Sequence, residues 1–359
     1  MAKRKLNKQQ RQRIAGKHSA TLAKTGECRQ GIVTAHHGGE VEIVDTGNST
    51  IASLPANPCR CHLRANLSTI VCGDRVLWRA ADNADDSEAD AATQTGIVEA
   101  LQPRRSVIYR PRPHGGPKPV AANIDLIVLV LAAKPEPITN LIDRYLVAAE
   151  NAGIAAALLV NKTDLLSEAT HAASLAEIDQ LARLYQELGY PVYQYQSHPS
   201  ATGGSGFCAK IAAAAFDPES LLADKTSILV GQSGVGKSSI INRLCSGAAA
   251  ATGDVSSANK KGRHTTTNAQ MYFLAQNQQT SQGAIIDSPG IREFALWHLS
   301  EQDIIDGMPE FRQFASQCRF RDCQHGKSAG CALQQAFDQG LVPASRIASY
   351  RHILESQNQ

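Results

Sequence analysis

Long apolar runs, aromatic rings and early acidic residues are what this 359-residue chain has least of. No apolar stretch approaches the roughly 20 residues a membrane-crossing helix needs. The longest, residues 124–133, is strand-sized and already interrupted by Asp125. The first residues contain no apolar core of a secretory leader. No membrane partner is expected, and the expected compartment is the cytoplasm. Nine cysteines, an odd number, fit a reducing compartment in which thiols stay free or bind metal rather than pair. Aromatic residues make up only 5% of the chain, which excludes a surface rich in stacking rings throughout. Residues 1–25 hold no acid at all, yet carry Lys3, Arg4, Lys5, Lys8, Arg11, Arg13, Lys17 and Lys24. Since the whole chain is only +3, the remainder is a mildly acidic body at −5. A basic arm on an acidic body points either to a polyanionic partner or to a solvated, disordered tail.

The length allows two or three domains. Residues 1–27 have almost no apolar periodicity and read as the disordered arm. Residues 28–112 alternate in short runs, at 31–35, 41–44, 70–78 and 96–100, separated by turn signals such as Gly38-Gly39. About five short strands in so few residues predict a small barrel, an OB-fold, with an SH3-like barrel as the alternative. Residues 82–90 contain five acids and no base, a loop that would be repelled by a phosphate backbone. Residues 102–119 are rich in proline and arginine and lack acids; they form either a linker or a basic contact strip. From 113 to 296 strands alternate with helices. Strands are predicted at 124–131, 155–160, 192–196, 227–230, 270–274 and 284–286, and helices at 139–151, 174–188, 206–216 and 237–245. Such alternation predicts an α/β domain with a mostly parallel, doubly covered sheet. Residues 297–359 turn helical and cysteine-rich, with a capping box at Ser300–Asp303 and a last helix at 345–355.

The α/β segment carries Gly231-Gln232-Ser233-Gly234-Val235-Gly236-Lys237-Ser238, which fits G-x-x-x-x-G-K-[ST] between a strand and a helix that continues with Ser239. Its glycines let backbone N–H groups turn inward around phosphates, and the helix N-terminus adds a favourable dipole. Lys237 should reach the β- and γ-phosphates, and Ser238 should ligate Mg2+. Asn161-Lys162-Thr163-Asp164 names the base. Asp164 can accept two hydrogen bonds from guanine N1–H and N2–H2, a donor pair that adenine lacks. Asn161 is expected on the O6/N7 side and Lys162 along the base plane. Asp287, at the start of Asp287-Ser288-Pro289-Gly290, should hold Mg2+ through water, while the N–H of Gly290 senses the γ-phosphate. In Gly262-Arg263-His264-Thr265-Thr266-Thr267, Thr266 is the candidate for completing the metal shell as first switch. A further base-contact loop is expected at 197–202. The order is inverted, because Asn161–Asp164 precedes the phosphate loop by some 70 residues, so the nucleotide domain must be circularly permuted. Ile291 stands where a water-orienting glutamine would follow Asp-x-x-Gly, so slow intrinsic hydrolysis is expected. His264 is the candidate for positioning water, an exposed loop histidine being the alternative.

Cys318, Cys323, His325 and Cys331 form C-x4-C-x-H-x5-C within 14 residues. Three thiolates and an imidazole make a closed tetrahedral Zn2+ shell, one ion in a structural role. Arg319, Arg321 and Lys327 alternate with these ligands and suit RNA phosphates. Cys59-x-Cys61 lacks partners and reads as structural or incidental.

Barrel, Asn-Lys-Thr-Asp, phosphate loop, Gly-Arg-His-Thr-Thr-Thr, Asp-Ser-Pro-Gly and the cysteine–histidine run, in this order, resemble the RsgA (YjeQ) family over about residues 28–355. The resemblance implies an N-terminal OB-fold, a permuted GTPase domain and a C-terminal zinc domain. It also implies a GTPase, expected as a monomer, that binds GTP and GDP. Its partner would be the 30S ribosomal subunit with its 16S rRNA. It would act in late maturation of that subunit, which stimulates hydrolysis, and hydrolysis would be coupled to release. A signalling GTPase with a protein partner, its zinc domain only an adaptor, is the alternative.

Overall fold

The computed structural model describes residues 28–47, 58–64, 67, 69–81, 95–110, 118–166, 172–196, 208, 210–245, 269–275, 283–288, 299–321, 323, 325 and 330–357. The arm at 1–27, the acidic loop at 82–90, the base-contact loop at 197–202, the 262–267 segment and Gly290-Ile291 lie outside them. So do the expected boundaries near 112 and 296.

Five strands build the barrel: β1 (Arg29–His37), β2 (Glu40–Asp45), β3 (Cys59–Leu63), β4 (Arg75–Ala80) and β5 (Thr95–Leu101). They run in the order β1-β2-β3-β5-β4, with β3 and β5 parallel, and β1 pairing with β4 closes the ring. This is the OB-fold topology. Alternation places Val33, Val41, Ile43, Cys59, Cys61, Val76, Trp78 and Val98 in one core. Gly31 lets Trp78 into that core, since a Cβ there would lie 2.4 Å from Ile43 Cγ2 and 3.0 Å from the indole.

The connector at 102–119, expected as a linker or a basic contact strip, contributes two strands among its described residues. β6 (Val107–Arg110) and β7 (Lys118–Ala122) pair antiparallel as a two-stranded sheet. Pro119 is tolerated in β7 because both strands of such a ribbon are edges. Arg104 is turned inward. Its guanidinium donates twice to the wholly buried Asp74, at 2.7 Å each, and once to Thr69 O. Arg105 pairs with Asp125 at 2.9 Å.

The α/β part follows with β8 (Leu126–Ala132), α1 (Thr139–Ala152), β9 (Ala155–Asn161), α2 (Ala172–Glu187), β10 (Val192–Gln194), β11 (Ala214–Ala215), α3 (Pro218–Leu222), β12 (Thr226–Val230), α4 (Lys237–Leu244), β13 (Gln270–Phe273) and β14 (Ala284–Asp287). The sheet order is β11-β10-β9-β8-β12-β14-β13, parallel except for β13. Counted from β12 as first strand, this is 7-6-5-4-1-3-2, a doubly wound sheet whose chain has been reopened before strand four. β8 is buried along its whole length. Its alternate residues enter two cores: Ile127, Leu129 and Leu131 face α1 and α2, and Val128, Val130 and Ala132 face α4.

The helix expected at 206–216 is absent from the described residues there. Helical propensity in Ala212–Ala215 loses to side chains that take the backbone groups first. Gln194 accepts from Cys208 N and donates to the carbonyls of Cys208 and Ala213, and Asp179 accepts from Ala212 N at 2.7 Å.

The C-terminal helices are α5 (Glu301–Asp306), α6 (Pro309–Ala315), α7 (Ala332–Asp338) and α8 (Ala344–Gln357). The Ser300/Asp303 capping box starts α5 as the sequence predicts. Their core, with Ile304, Phe311, Leu333 and Ile353, also takes Val147 from α1. One helix thus serves the sheet and the C-terminal unit at once.

Candidate nucleotide site and metal centre

β8, β9, β12 and β14 end at one edge of the sheet, where ligands of open α/β folds bind. The registers Val230↔Leu129, Ala132↔Asn161 and Ile228↔Ile286 bring three motifs, distant in sequence, to that edge.

The phosphate loop leaves β12 through Gly231, at φ 136°; a Cβ there would sit 2.3 Å from Val130 O, so no other residue fits. Gly234 and Gly236, at φ 82° and 97°, complete the turn into α4. Val235 is buried beneath the loop, while Ser233 and Gly234 face solvent. Lys237 Nζ donates to the carbonyls of Gly231 and Gln232, at 2.8 and 2.6 Å, which holds the ammonium inside the loop. Ser238 and Ser239 follow, half-buried in the first turn of α4.

Asn161, expected beside guanine O6 and N7, ends β9 at the register pair Ala132↔Asn161. Its side chain is fully buried and its amide nitrogen donates to Val235 O at 2.9 Å. A buried amide donor must be satisfied, and the phosphate loop supplies the acceptor. Lys162, at φ 59°, donates from Nζ to Gly234 O at 2.6 Å. Thr163 is buried and its hydroxyl donates to Tyr195 O at 3.4 Å. Asp164 is half-buried on the short 3-10 turn Thr163–Leu166. Two residues assigned to the base therefore also brace the phosphate loop, an economy that the spacing of the motifs does not reveal.

Asp287 closes β14, one position beyond the pair Ile228↔Ile286. Next to it, Ser288 Oγ is buried with no hydrogen-bond partner among the described residues. A carboxylate, a helix-start serine and an orphaned hydroxyl form a donor set that suits a hard cation with its waters. His264, Thr266 and Gly290 lie outside the described residues.

In the C-terminal unit, the ligand atoms of Cys318, Cys323, His325 and Cys331 all lie within 4.8 Å of one another. His325 Nδ1 is 3.5 Å from Cys318 Sγ and 3.9 Å from Cys331 Sγ, and those two sulfurs are 4.0 Å apart. A tetrahedron with bonds of about 2.3 Å has edges of about 3.8 Å, so the cluster has the dimensions of a four-coordinate metal site. His325 takes φ 53° and Gly330 φ 85° to wrap the loop. Cys331 Sγ also caps α7, accepting from Gln334 N. Burial pushes the Cys331 thiol up to about 11, and the neighbouring thiols push the same way. Such crowding of would-be thiolates is what a divalent cation relieves.

Sequence reasoning missed the joint between the two units. Arg346 on α8, 1% exposed, donates to Asp143 on α1 and to Glu310 on α6. Tyr185 of α2 donates its hydroxyl to Asp143 at 2.5 Å. The available signal was Asp143 itself, a carboxylate on the apolar stripe of α1 beside Ile142 and Leu146.

Residues 101–297 match the family described as RsgA GTPase. Over 99% of this chain and 98% of its own length, the Small ribosomal subunit biogenesis GTPase RsgA of Azotobacter vinelandii is 43% identical. The protein of the same name from Pseudomonas aeruginosa PAO1 is 42% identical over the same shares. Among solved structures, YloQ, a circularly permuted GTPase, aligns with TM-score 0.62 and 23% identity, covering 93% of this chain and 96% of its own. YjeQ from Thermotoga maritima aligns with TM-score 0.62 and 26% identity, covering 91% and 98%. With the permuted sheet, the phosphate loop and the cysteine–histidine loop in agreement, this chain belongs to the RsgA GTPase family.

Proposed function

We propose that this GTPase works in the cytoplasm on the 30S ribosomal subunit in its late maturation, with hydrolysis stimulated by the subunit and coupled to release. The observation that carries the nucleotide part is the pair of bonds from Asn161 to Val235 and from Lys162 to Gly234. They fasten the guanine-reading segment to the phosphate loop although the chain presents them in inverted order. The names of the relatives, which speak of small ribosomal subunit biogenesis, support the partner.

In this reading Asp164 selects guanine, and Lys237 with the loop amides from Gly231 to Ser239 holds the phosphates. Ser238, Asp287 and Thr266 would hold Mg2+, which supplies charge neutralisation at the β- and γ-phosphates. Gly290 reads the γ-phosphate and His264 positions water. Cys318, Cys323, His325 and Cys331 would hold one Zn2+, which stiffens the C-terminal loop. The domains are the arm to 27, the barrel to 112, the GTPase domain to 296 and the zinc domain beyond. The second switch runs from Asp287 towards the zinc domain, so nucleotide state would reach that domain along the chain.

The deciding experiment is GTP turnover with and without purified 30S subunits. Stimulation is expected; flat turnover defeats the reading. Unchanged stimulated turnover in His264→Ala would remove His264 alone from its role.

A further inference from the structure

Among the described residues, arginines differ in how their charge is used. Arg104, Arg105 and Arg346 are spent on internal carboxylates. Arg319 and Arg321, both exposed, make no ion pair among the described residues. Between them stands Phe320, 52% exposed, one of four large apolar side chains exposed among the described residues. An exposed ring costs solvation free energy unless a partner covers it.

The ring is presented rather than loose. Cys323 N donates to Phe320 O, and Arg319 N donates to Gly330 O, each at 3.3 Å. A Cβ on Gly330 would lie 3.3 Å from Arg319 Cβ, so the arginine stem lies against the ligand loop. Its guanidinium sits over the Phe320 ring, 5.5 Å from the centroid. The tip is thus pinned at its two ends by the metal-binding cluster.

We propose that this tip is a stacking platform for one unpaired RNA base, with Phe320 as the stacking face and Arg319 and Arg321 on the flanking phosphates. The inference rests on the ribosomal reading above and adds to it the kind of RNA recognised. Charge favours RNA over a protein surface. A ring flanked in sequence by two arginines, one of them over its face, suits a base between phosphates, whereas a protein hot spot would ask for a broader apolar surround. Residues 319–327 hold three bases, Arg319, Arg321 and Lys327, against one acid, Asp322.

The test measures binding of the full, metal-loaded chain to 30S subunits and to protein-free 16S rRNA across a salt series. Phe320→Ala should weaken both by about tenfold to a hundredfold. Phe320→Trp should bind like the parent. Arg319→Gln with Arg321→Gln should flatten the log–log salt dependence by about 0.7 per arginine. Metal content and thermal unfolding equal to the parent's establish that each variant is folded. Unchanged binding in Phe320→Ala overturns the platform. Weakening on 30S alone, with protein-free rRNA unaffected, also overturns it and assigns the ring to a protein. Parent turnover unmoved by 30S overturns the ribosomal reading and the platform together, whereas stimulated turnover with normal Phe320→Ala binding overturns the platform alone.

Discussion

The nucleotide edge and the cysteine–histidine loop each bring several polar groups to one point, by opposite means. The loop gathers its four ligands from 14 consecutive residues, and its geometry depends on two left-handed backbone positions and on what binds the ligands. The edge gathers Asn161, Lys237 and Asp287 from segments up to 126 residues apart, and the sheet register does the work. A locally closed site is as stable as its ligand, while a site built on a sheet is as stable as the whole core. The two meet at α1, whose Asp143 is tied to Arg346 of the C-terminal unit.

Metal removal should separate them most. Chelation, or Cys331→Ser, should unfold the C-terminal unit, since structural zinc contributes on the order of 10 kcal/mol to small domains. GTP affinity should stay within about threefold, because a sheet-borne site keeps its geometry when a neighbouring unit melts. Limited proteolysis alongside nucleotide titration reads both, and a joint loss would break the comparison.

Arg346→Ala strikes the joint. It leaves Asp143 buried without its guanidinium, at a cost of about 3–5 kcal/mol in urea unfolding. Asp143→Leu combined with Arg346→Met should recover only part of it, because the paired charges go together but Glu310 and the Tyr185 hydroxyl lose their partners. If the single variant costs nothing, the two units are not coupled through α1.

Asn161→Ala tests the edge. It orphans Val235 O and unties the two motifs, and should cost about 1–3 kcal/mol in GTP affinity with the C-terminal unit intact. Selectivity for GTP over ATP should survive, since Asp164 remains; lost selectivity would show that Asn161 reads the base as well.

The smallest effect concerns His36. It adjoins Ala35, the residue through which β1 pairs with β13 at Gln270, and so marks where the barrel meets the nucleotide edge. Burial lowers its affinity for a proton, and Lys118 and His37 add to this. The unfolded chain then takes up the proton more readily, so stability is fully present above about pH 6.5 and drains as pH falls below it. His36→Gln should make the acid limb of the stability curve shallower; an unaltered limb would remove His36 from that junction's energetics.

Much of the architecture was legible because the core strands are distinctive. An unbroken apolar run at Leu126–Ala132 admits little but a central parallel strand, and Gly231–Lys237 admits little but a phosphate loop. β3 was harder, because Cys-Arg-Cys-His-Leu offers only one short alternation whose apolar positions are two cysteines and a leucine. The hairpin of β6 and β7 was hidden by prolines, which an edge ribbon tolerates. The helix expected at 206–216 failed because Gln194 and Asp179, distant in sequence, claim its backbone groups.

The sequence by itself determined which motifs are present: a phosphate loop, an Asn-Lys-Thr-Asp segment, a cysteine–histidine quartet and their permuted order, since each needs particular residue types at particular short spacings. Only the tertiary structure decided which groups are still available for a partner. Arg104 and Arg346 are consumed inside, and Arg319 and Arg321 remain outside with Phe320. An ion pair or a buried amide is settled by which acceptors the fold brings within about 3 Å, and that distance is a property of packing, not of spacing along the chain.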